Sequence, residues 1–357
     1  MNQTSQLSEA VTIIVAGRDR YSLTESCIDT LIANTPQPYQ LIVVLGGAPK
    51  EFKTRLRERF GATATLIFEP RFLNCSESRN IGLKLAKTRL SVCMDNDVFV
   101  RPNWLPPLIR CLNETSAGMV VPLLLEDEHR VHCAGCDMLV TMKGPRAFVG
   151  KVLRYNAQTV FDTTNIKRQE ADYGEMHLQL IETKAAMELG VFDDRIQEGQ
   201  ELDGGLAWRK AGRTIWCEPE SVAVYRIPGG VDHPGDIAFF CWRWNAANAI
   251  PGYKVMTEKW DMDMTEAGSF KHFLRNMNVK VGWLPRLWPS WTALAIDRAM
   301  GRALSFVTET PHRIRYELYG MATGHYQWIE ELEGGKPAAR NIAEKIWQRL
   351  GFGGKQR

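Results

Sequence analysis

No run of ~18–20 mainly apolar residues exists in this chain, and a membrane-crossing helix needs that length, so no transmembrane segment is expected. The uncharged stretch 30–49 is broken by Asn34, Pro36, Gln37, Pro38 and Gln40. A surplus of charge is missing too: 44 Lys and Arg against 41 Asp and Glu leave +3, too little to argue for nucleic acid as a partner. Residues 1–10 are polar and hold no apolar stretch of a signal peptide. Eight cysteines are scattered, with Cys27, Cys93, Cys111 and Cys241 in apolar contexts. They form no disulfide framework and point to reduced thiols and a cytoplasmic location. Internal repeats and low-complexity tracts are absent. At 357 residues the chain has room for one large domain and an appendage, or for two domains.

What is present is organised around residues 90–100, Leu-Ser-Val-Cys-Met-Asp-Asn-Asp-Val-Phe-Val. The apolar run to Met94 reads as a buried strand. Asp95 and Asp97 follow at its end, where two anions are costly unless something offsets them. Oxygen ligands of this kind suit Mg²⁺ or Mn²⁺, and in a parallel α/β sheet ligands collect at the carboxyl ends of the strands. The plainer alternative is a β-turn, which Asp and Asn favour. Asp261-Met262-Asp263 has the same spacing but follows a polar stretch, and reads as surface.

Strands alternate with helices through the first half. Strands are expected at 11–16, 39–45, 63–68 and 90–94, and helices from Ser22, over 50–60 and over 74–87. Short connections between them predict a mostly parallel sheet flanked by helices. Further on, 104–112 reads as a helix and 118–125 as a strand whose Pro122 implies an edge or a bulge. His129, His132, Cys133 and Cys136 have metal-ligand spacing, but no second cysteine pair follows, which disfavours zinc. Residues 147–168 read as a polar loop.

The order of Val11–Ala16, then Leu41-Ile-Val-Val-Leu45-Gly46-Gly47, then Ser78-Arg79-Asn80-Ile81-Gly82, then Asp95-Asn96-Asp97 resembles the family-2-type glycosyltransferases of the GT-A fold. Downstream, Val191-Phe192-Asp193, Glu201-Leu202-Asp203, Arg209, Ala211-Gly212 and Pro219 continue the resemblance, which spans about residues 11–244. It implies a GT-A domain over 1–250, Rossmann-like α/β, with a helical C-terminal extension over 251–357. It implies a nucleotide-diphospho-sugar donor held by Ala16, Gly17, Arg18, Asp19, Leu45, Gly46, Arg79, Asn80, Asp95 and Asn96. Mg²⁺ or Mn²⁺ would sit on Asp95 and Asp97, and Asp203 would act as base toward an acceptor hydroxyl, with Glu201 as the rival. The bland role for Asp203 is a helix N-cap. The acceptor implied is a glycan or lipid-linked glycan.

The chain departs from the family pattern twice. Leu45-Gly46-Gly47 stands where an Asp usually contacts the base, which leaves the base open. Tyr225 stands where a ligand His is common, and His233 is the nearest substitute as a metal ligand. Among the alternatives, a nucleotidylyltransferase would need a longer Gly-rich loop than Gly17-Arg18-Asp19-Arg20, and a degenerate binding subunit would not need Asp95, Asp97 and Asp203. The aromatic segment 236–248 is expected to pack as a helix. Trp283, Trp288 and Trp291 among Lys280, Arg286 and Arg298 fit either peripheral contact with the inner face of a membrane or helices closing over the core.

Overall fold

The computed structural model describes residues 9–126, 130–143, 146–156, 165–226, 233–243, 246–263 and 296. Its elements run β1 (Val11–Ala16), α1 (Thr24–Asn34), β2 (Tyr39–Gly46), α2 (Lys50–Phe60), β3 (Thr65–Glu69), α3 (Cys75–Leu85), β4 (Leu90–Asp95) and β5 (Val98–Val100). They continue as α4 (Leu105–Thr115), β6 (Met119–Leu125), β7 (Val131–Cys133), β8 (Cys136–Lys143), β9 (Arg146–Leu153) and β10 (Gln169–Ala171). After these come β11 (Leu178–Glu182), α5 (Thr183–Leu189), α6 (Gln200–Lys210), β12 (Ile215–Tyr225), α7 (Ile237–Arg243), α8 (Ala246–Trp260) and β13 (Met262–Asp263).

The described residues fall into two units, one within 1–141 and 149–228, the other within 142–148 and 229–357. The first is built on a sheet ordered β10-β12-β6-β11-β4-β1-β2-β3, with β5 on β12 and β7 on β6. β3, β2, β1 and β4 are mutually parallel. Every residue of β1 and β4 is buried, as expected of strands covered on both faces by helices. β11 is inserted antiparallel between β4 and β6. The core is therefore a mixed α/β sheet flanked by helices, the GT-A arrangement.

Two details place the site. From β1 the chain steps to β2 and β3 on one side, then returns to lay β4 on the other side of β1. The carboxyl ends of β1 and β4 are level, Ala16 opposite Asp95, and this crossover is where open α/β sheets bind ligands. In addition, α3 packs tightly on β1 because Gly82 has no Cβ; a methyl there would meet Ile14 Cγ2 at 2.4 Å. Arg79, three residues earlier and so on the same helix face, is thereby brought to the end of β4. The helix starts on a complete capping box, Asn74 accepting from the Glu77 N–H and Glu77 accepting from the Asn74 N–H.

Several sequence expectations are adjusted. Pro122 is not on an edge: it lies within buried β6, at the point where the pairing with β12 shifts register between Glu218 and Val222, so the bulge reading holds. Residues 146–153 form a strand in place of the expected loop. In the second unit, Phe239 and Phe240 of α7 are buried, α8 runs unbroken through residue 250 with Pro251 inside it, and β13 pairs in parallel with Ala147 and Phe148 of β9. Asp261 is exposed, whereas Met262 is buried. Trp283, Trp288, Trp291 and most of the expected helical extension lie outside the described residues.

Candidate functional site

At the crossover, two carboxylates are fully buried side by side, and they are treated differently. Asp95 is surrounded by cations. Arg79 Nη2, itself wholly buried, donates to Asp95 Oδ1 at 2.5 Å and to the Met176 carbonyl at 2.6 Å. Arg18 Nη1 donates to Asp95 Oδ2 at 2.8 Å. Burial works against the charge on Asp95, yet Arg79 and Arg18 hold its carboxyl well below the usual range. Asp97 has no such help: neither of its oxygens accepts a hydrogen bond, and its ion-pair partner, Arg20 Nη2, is 3.7 Å away. Burial first, and the Asp95 charge second, push its carboxyl up to about 8.

The third member is His177, which the sequence reading did not single out. Antiparallel pairing puts the start of β11 at the end of β4, with Leu178 opposite Met94 and the Asp95 N–H donating to the His177 carbonyl at 3.0 Å. His177 Nδ1 is 2.9 Å from Arg18 Nη1 and 3.1 Å from Asp95 Oδ2. A guanidinium only donates, so Nδ1 accepts and the ring proton resides on Nε2. Burial, reinforced by Arg18, drives the imidazole down to about 3 and keeps it neutral.

Asp95, Asp97 and His177 each offer a ligand atom, and these atoms lie within 4.8 Å of one another. The donor set fits a divalent cation on an observation of its own. Asp97 is buried without a donor, and a lone pair of His177 faces a carboxylate oxygen across the Arg18 head group. Two acceptors at 3.1 Å with a cation between them is metal-site chemistry. Asp95, Asp97 and His177 can therefore hold Mg²⁺ or Mn²⁺.

Tyr225 completes the wall. It pairs with Val98 across β12 and β5 and stacks on His177 with ring centroids 3.6 Å apart. The position where the family pattern has a histidine thus holds an aromatic lid on a histidine that immediately precedes β11. His233 belongs to the second unit, and its Nδ1 accepts from the Gly235 N–H at 3.0 Å. Among the described residues, the imidazole grouped with Asp95 and Asp97 is that of His177.

The remaining predicted residues take varied places. Ala16, Gly17, Asp19, Leu45 and Gly46 are buried. Asp19 adopts φ 52°, a conformation costly for a residue with a Cβ and a mark of functional loops. Gly46 is closed in by the 71–73 backbone, and its carbonyl accepts from the Tyr21 hydroxyl. Asn96 braces the loop after β1: it accepts from the Arg18 N–H and donates to the Arg20 carbonyl and Thr24 Oγ1. Arg79 is the buried counter-ion of Asp95. Asn80 donates to the Phe192 carbonyl and Asp194 Oδ1. Arg18, 14% exposed, is the cation of this group that reaches the surface.

Asp203 is fully buried in the first turn of α6. It is not the N-cap: that place belongs to Gly199, whose φ of 84° needs glycine and whose carbonyl accepts from the Asp203 N–H at 3.1 Å. Glu201 pairs with Lys151. Burial opposes its charge, but the ammonium brings its carboxyl down to about 2. Glu175 lies beside this pair and near His177 Nε2, at 3.6 Å. Burial and the Glu201 charge raise it to about 7, Lys151 opposing. Glu175, His177 and Gln179 alternate with Met176, Leu178 and Leu180. That period of two on an apolar strand was the available signal for this acidic, imidazole-bearing face. Cys133 and Cys136 are buried free thiols hydrogen-bonded to each other, and among the described residues no cysteine joins a metal-ligating cluster.

A mixed, mostly parallel α/β sheet with a buried carboxylate pair at its crossover is consistent with the GT-A fold. Within that class, residues 12–130 match glycosyl transferase family 2, and over that stretch the chain resembles the family. Two solved structures are similar. One is GalNAc-T7 with UDP, GalNAc and Mn²⁺, at 15% identity and a TM-score of 0.47, covering 80% of this chain and 59% of that chain. The other is the mannosyltransferase PcManGT from Pyrobaculum calidifontis in complex with GDP-Man and Mn²⁺, at 16% identity and 0.46, covering 98% and 88%. The chain thus spans 59% of the length of the first. No curated protein matches the chain. Among the described residues, no helix is long and apolar enough to cross a membrane.

Proposed function

We propose that the protein is a metal-dependent, inverting glycosyltransferase that moves a sugar from a nucleotide-diphospho-sugar to a hydroxyl of a glycan or lipid-linked acceptor. The observation that carries the reading is the buried Asp95–Asp97 pair at the crossover, one carboxylate neutralised by arginines and the other left without a hydrogen-bond donor. Asp95, Asp97 and His177 would hold the cation, which supplies Lewis-acid neutralisation of the leaving diphosphate. Arg18, at the rim, is placed to turn from Asp95 toward a phosphate oxygen, for which its planar fork is suited. Arg79 stays under Asp95 and keeps it ionised. In the transfer, the acceptor oxygen bonds to the anomeric carbon as the bond to the diphosphate breaks, and the hydroxyl proton passes to Asp203. Lys151 lowers the proton affinity of Glu201, which disfavours Glu201 as the base.

The test is a thermal-shift panel of nucleoside diphosphates with and without Mn²⁺, on wild type and Asp97→Ala, followed by donor-sugar turnover. A ligand at 100 times its dissociation constant stabilises by about 2.7 kcal/mol. A Mn²⁺-dependent shift lost in Asp97→Ala supports the reading and identifies the base. No shift with any nucleotide refutes it.

A further inference from the structure

The face of His177 turned away from Asp95 meets a second set of donors. Nε2 lies 3.6 Å from Glu175 Oε2. His132, on β7, has its ring centroid 5.3 Å from that of His177, edge to face. His132, Glu175 and His177 each offer a ligand atom, and these atoms lie within 4.8 Å of one another. For a tetrahedral Zn²⁺ with ligand bonds of about 2.1 Å, neighbouring donors stand about 3.4 Å apart, close to the Glu175–His177 separation.

Each imidazole is also steadied from behind by a carboxylate. His132 Nδ1 is 3.4 Å from Glu126 Oε1, and His177 Nδ1 is 3.1 Å from Asp95 Oδ2. Carboxylate–histidine pairs of this kind orient metal-binding imidazoles and raise their basicity. His132 is 12% and Glu175 14% exposed, so the cluster is reachable from solvent. The carboxylate pair of the first site suits a hard cation, whereas two imidazoles and one carboxylate suit a borderline one.

We propose that His132, Glu175 and His177 form a second cation site, for Zn²⁺ or a divalent ion of like preference, distinct from the Asp95–Asp97 site and sharing its histidine. A cation on Nε2 of His177 takes the lone pair freed as the ring proton moves to Nδ1. Asp95 Oδ2 then accepts a hydrogen bond from Nδ1–H, and Arg18 gives up its bond to the ring. The two sites are thereby coupled through one imidazole: filling the second removes the nitrogen ligand from the first. The proposal does not depend on glycosyl transfer.

Co²⁺ titration of the full-length chain, read by its visible absorption and by calorimetry, tests this, with Zn²⁺ competing. The expected result is a Co²⁺ site without a thiolate charge-transfer band. It persists in Asp97→Asn and weakens about 100-fold or more in His132→Gln, loss of a ligand costing at least what loss of an outer partner does. Circular dichroism melts verify that both variants fold. Should His132→Gln not fold, Glu126→Gln removes only the outer partner, and about 10-fold weaker binding is expected. Binding lost in Asp97→Asn but kept in His132→Gln, loss in both, a thiolate band, or no binding in the wild type each overturns the proposal.

Discussion

Asp97→Asn is expected to stabilise the metal-free protein at neutral and alkaline pH while abolishing its response to Mn²⁺. The substitution keeps the shape of the side chain and removes the buried charge. In the free protein the Asp97 carboxyl is raised from 3.8 to about 8, by burial and then by Asp95. Because the folded-state value is raised, the native state holds a proton that the unfolded chain has lost. The contribution of Asp97 to stability is therefore full below pH 4 and is lost as pH rises toward 8. A rise of about four units at about 1.4 kcal/mol each sets a ceiling of roughly 6 kcal/mol on that loss. The new amide brings its own unpaired N–H groups, which costs about 1–3 kcal/mol. At pH 8 in chelator, Asp97→Asn should therefore exceed wild type by at most about 3–5 kcal/mol, the remainder of those two terms.

Urea denaturation at pH 5 and pH 8, with chelator and with Mn²⁺, measures this. The gap should shrink or reverse at pH 5, where the wild-type carboxyl is largely protonated. With Mn²⁺ the wild type should regain stability at pH 8 and the variant should not. A variant less stable than wild type at pH 8 in chelator, or a gap that does not change with pH, refutes the account of Asp97 as a buried, uncompensated charge awaiting a cation.

Arg79→Met should cost about 3–5 kcal/mol, because it removes the buried partner of a buried Asp95, and the midpoint of denaturation at pH 7 reads it. Gly82→Ala should cost about 1–3 kcal/mol through overpacking against Ile14 and should weaken Mn²⁺ binding as α3 and Arg79 are displaced; unchanged metal affinity would show that the close approach of α3 is dispensable. Asn74→Ala should cost about 1 kcal/mol by loss of the helix cap, with nucleotide binding retained at saturating ligand. Asp203→Asn should leave Mn²⁺-dependent nucleotide binding intact and lower turnover by about 100-fold or more, the span of a lost general base; full turnover in that variant would remove Asp203 from the mechanism.

Much of this architecture follows from local pattern. The largely apolar runs of β1, β2 and β4, short and set between turn residues, read as strands covered on both faces, and the spacing of helices between them favours parallel order. The change from Met94 to Asp95-Asn96-Asp97 at the end of such a run marks the site without any neighbour being known, since buried anions demand a counter-charge. Asn74 and Glu77 announce the start of α3 by their spacing alone.

Other features depend on which strands lie side by side, and that is decided by packing between segments far apart in the chain. His177 becomes a partner of Asp95 only because β11 enters the sheet antiparallel to β4, in a register that sets Leu178 opposite Met94 and so His177 beside Asp95. Tyr225 meets His177 only because β12 reaches across to β5. Arg79 reads equally well as a solvated helix residue until Gly82 lets α3 settle on Ile14. Asn96, placed between two aspartates, is drawn away by the loop after β1, whose buried N–H and C=O groups require partners. Periodicity and composition act within one segment and so are written in the chain; ligand geometry arises between segments, from register and close packing, and only the folded sheet supplies it.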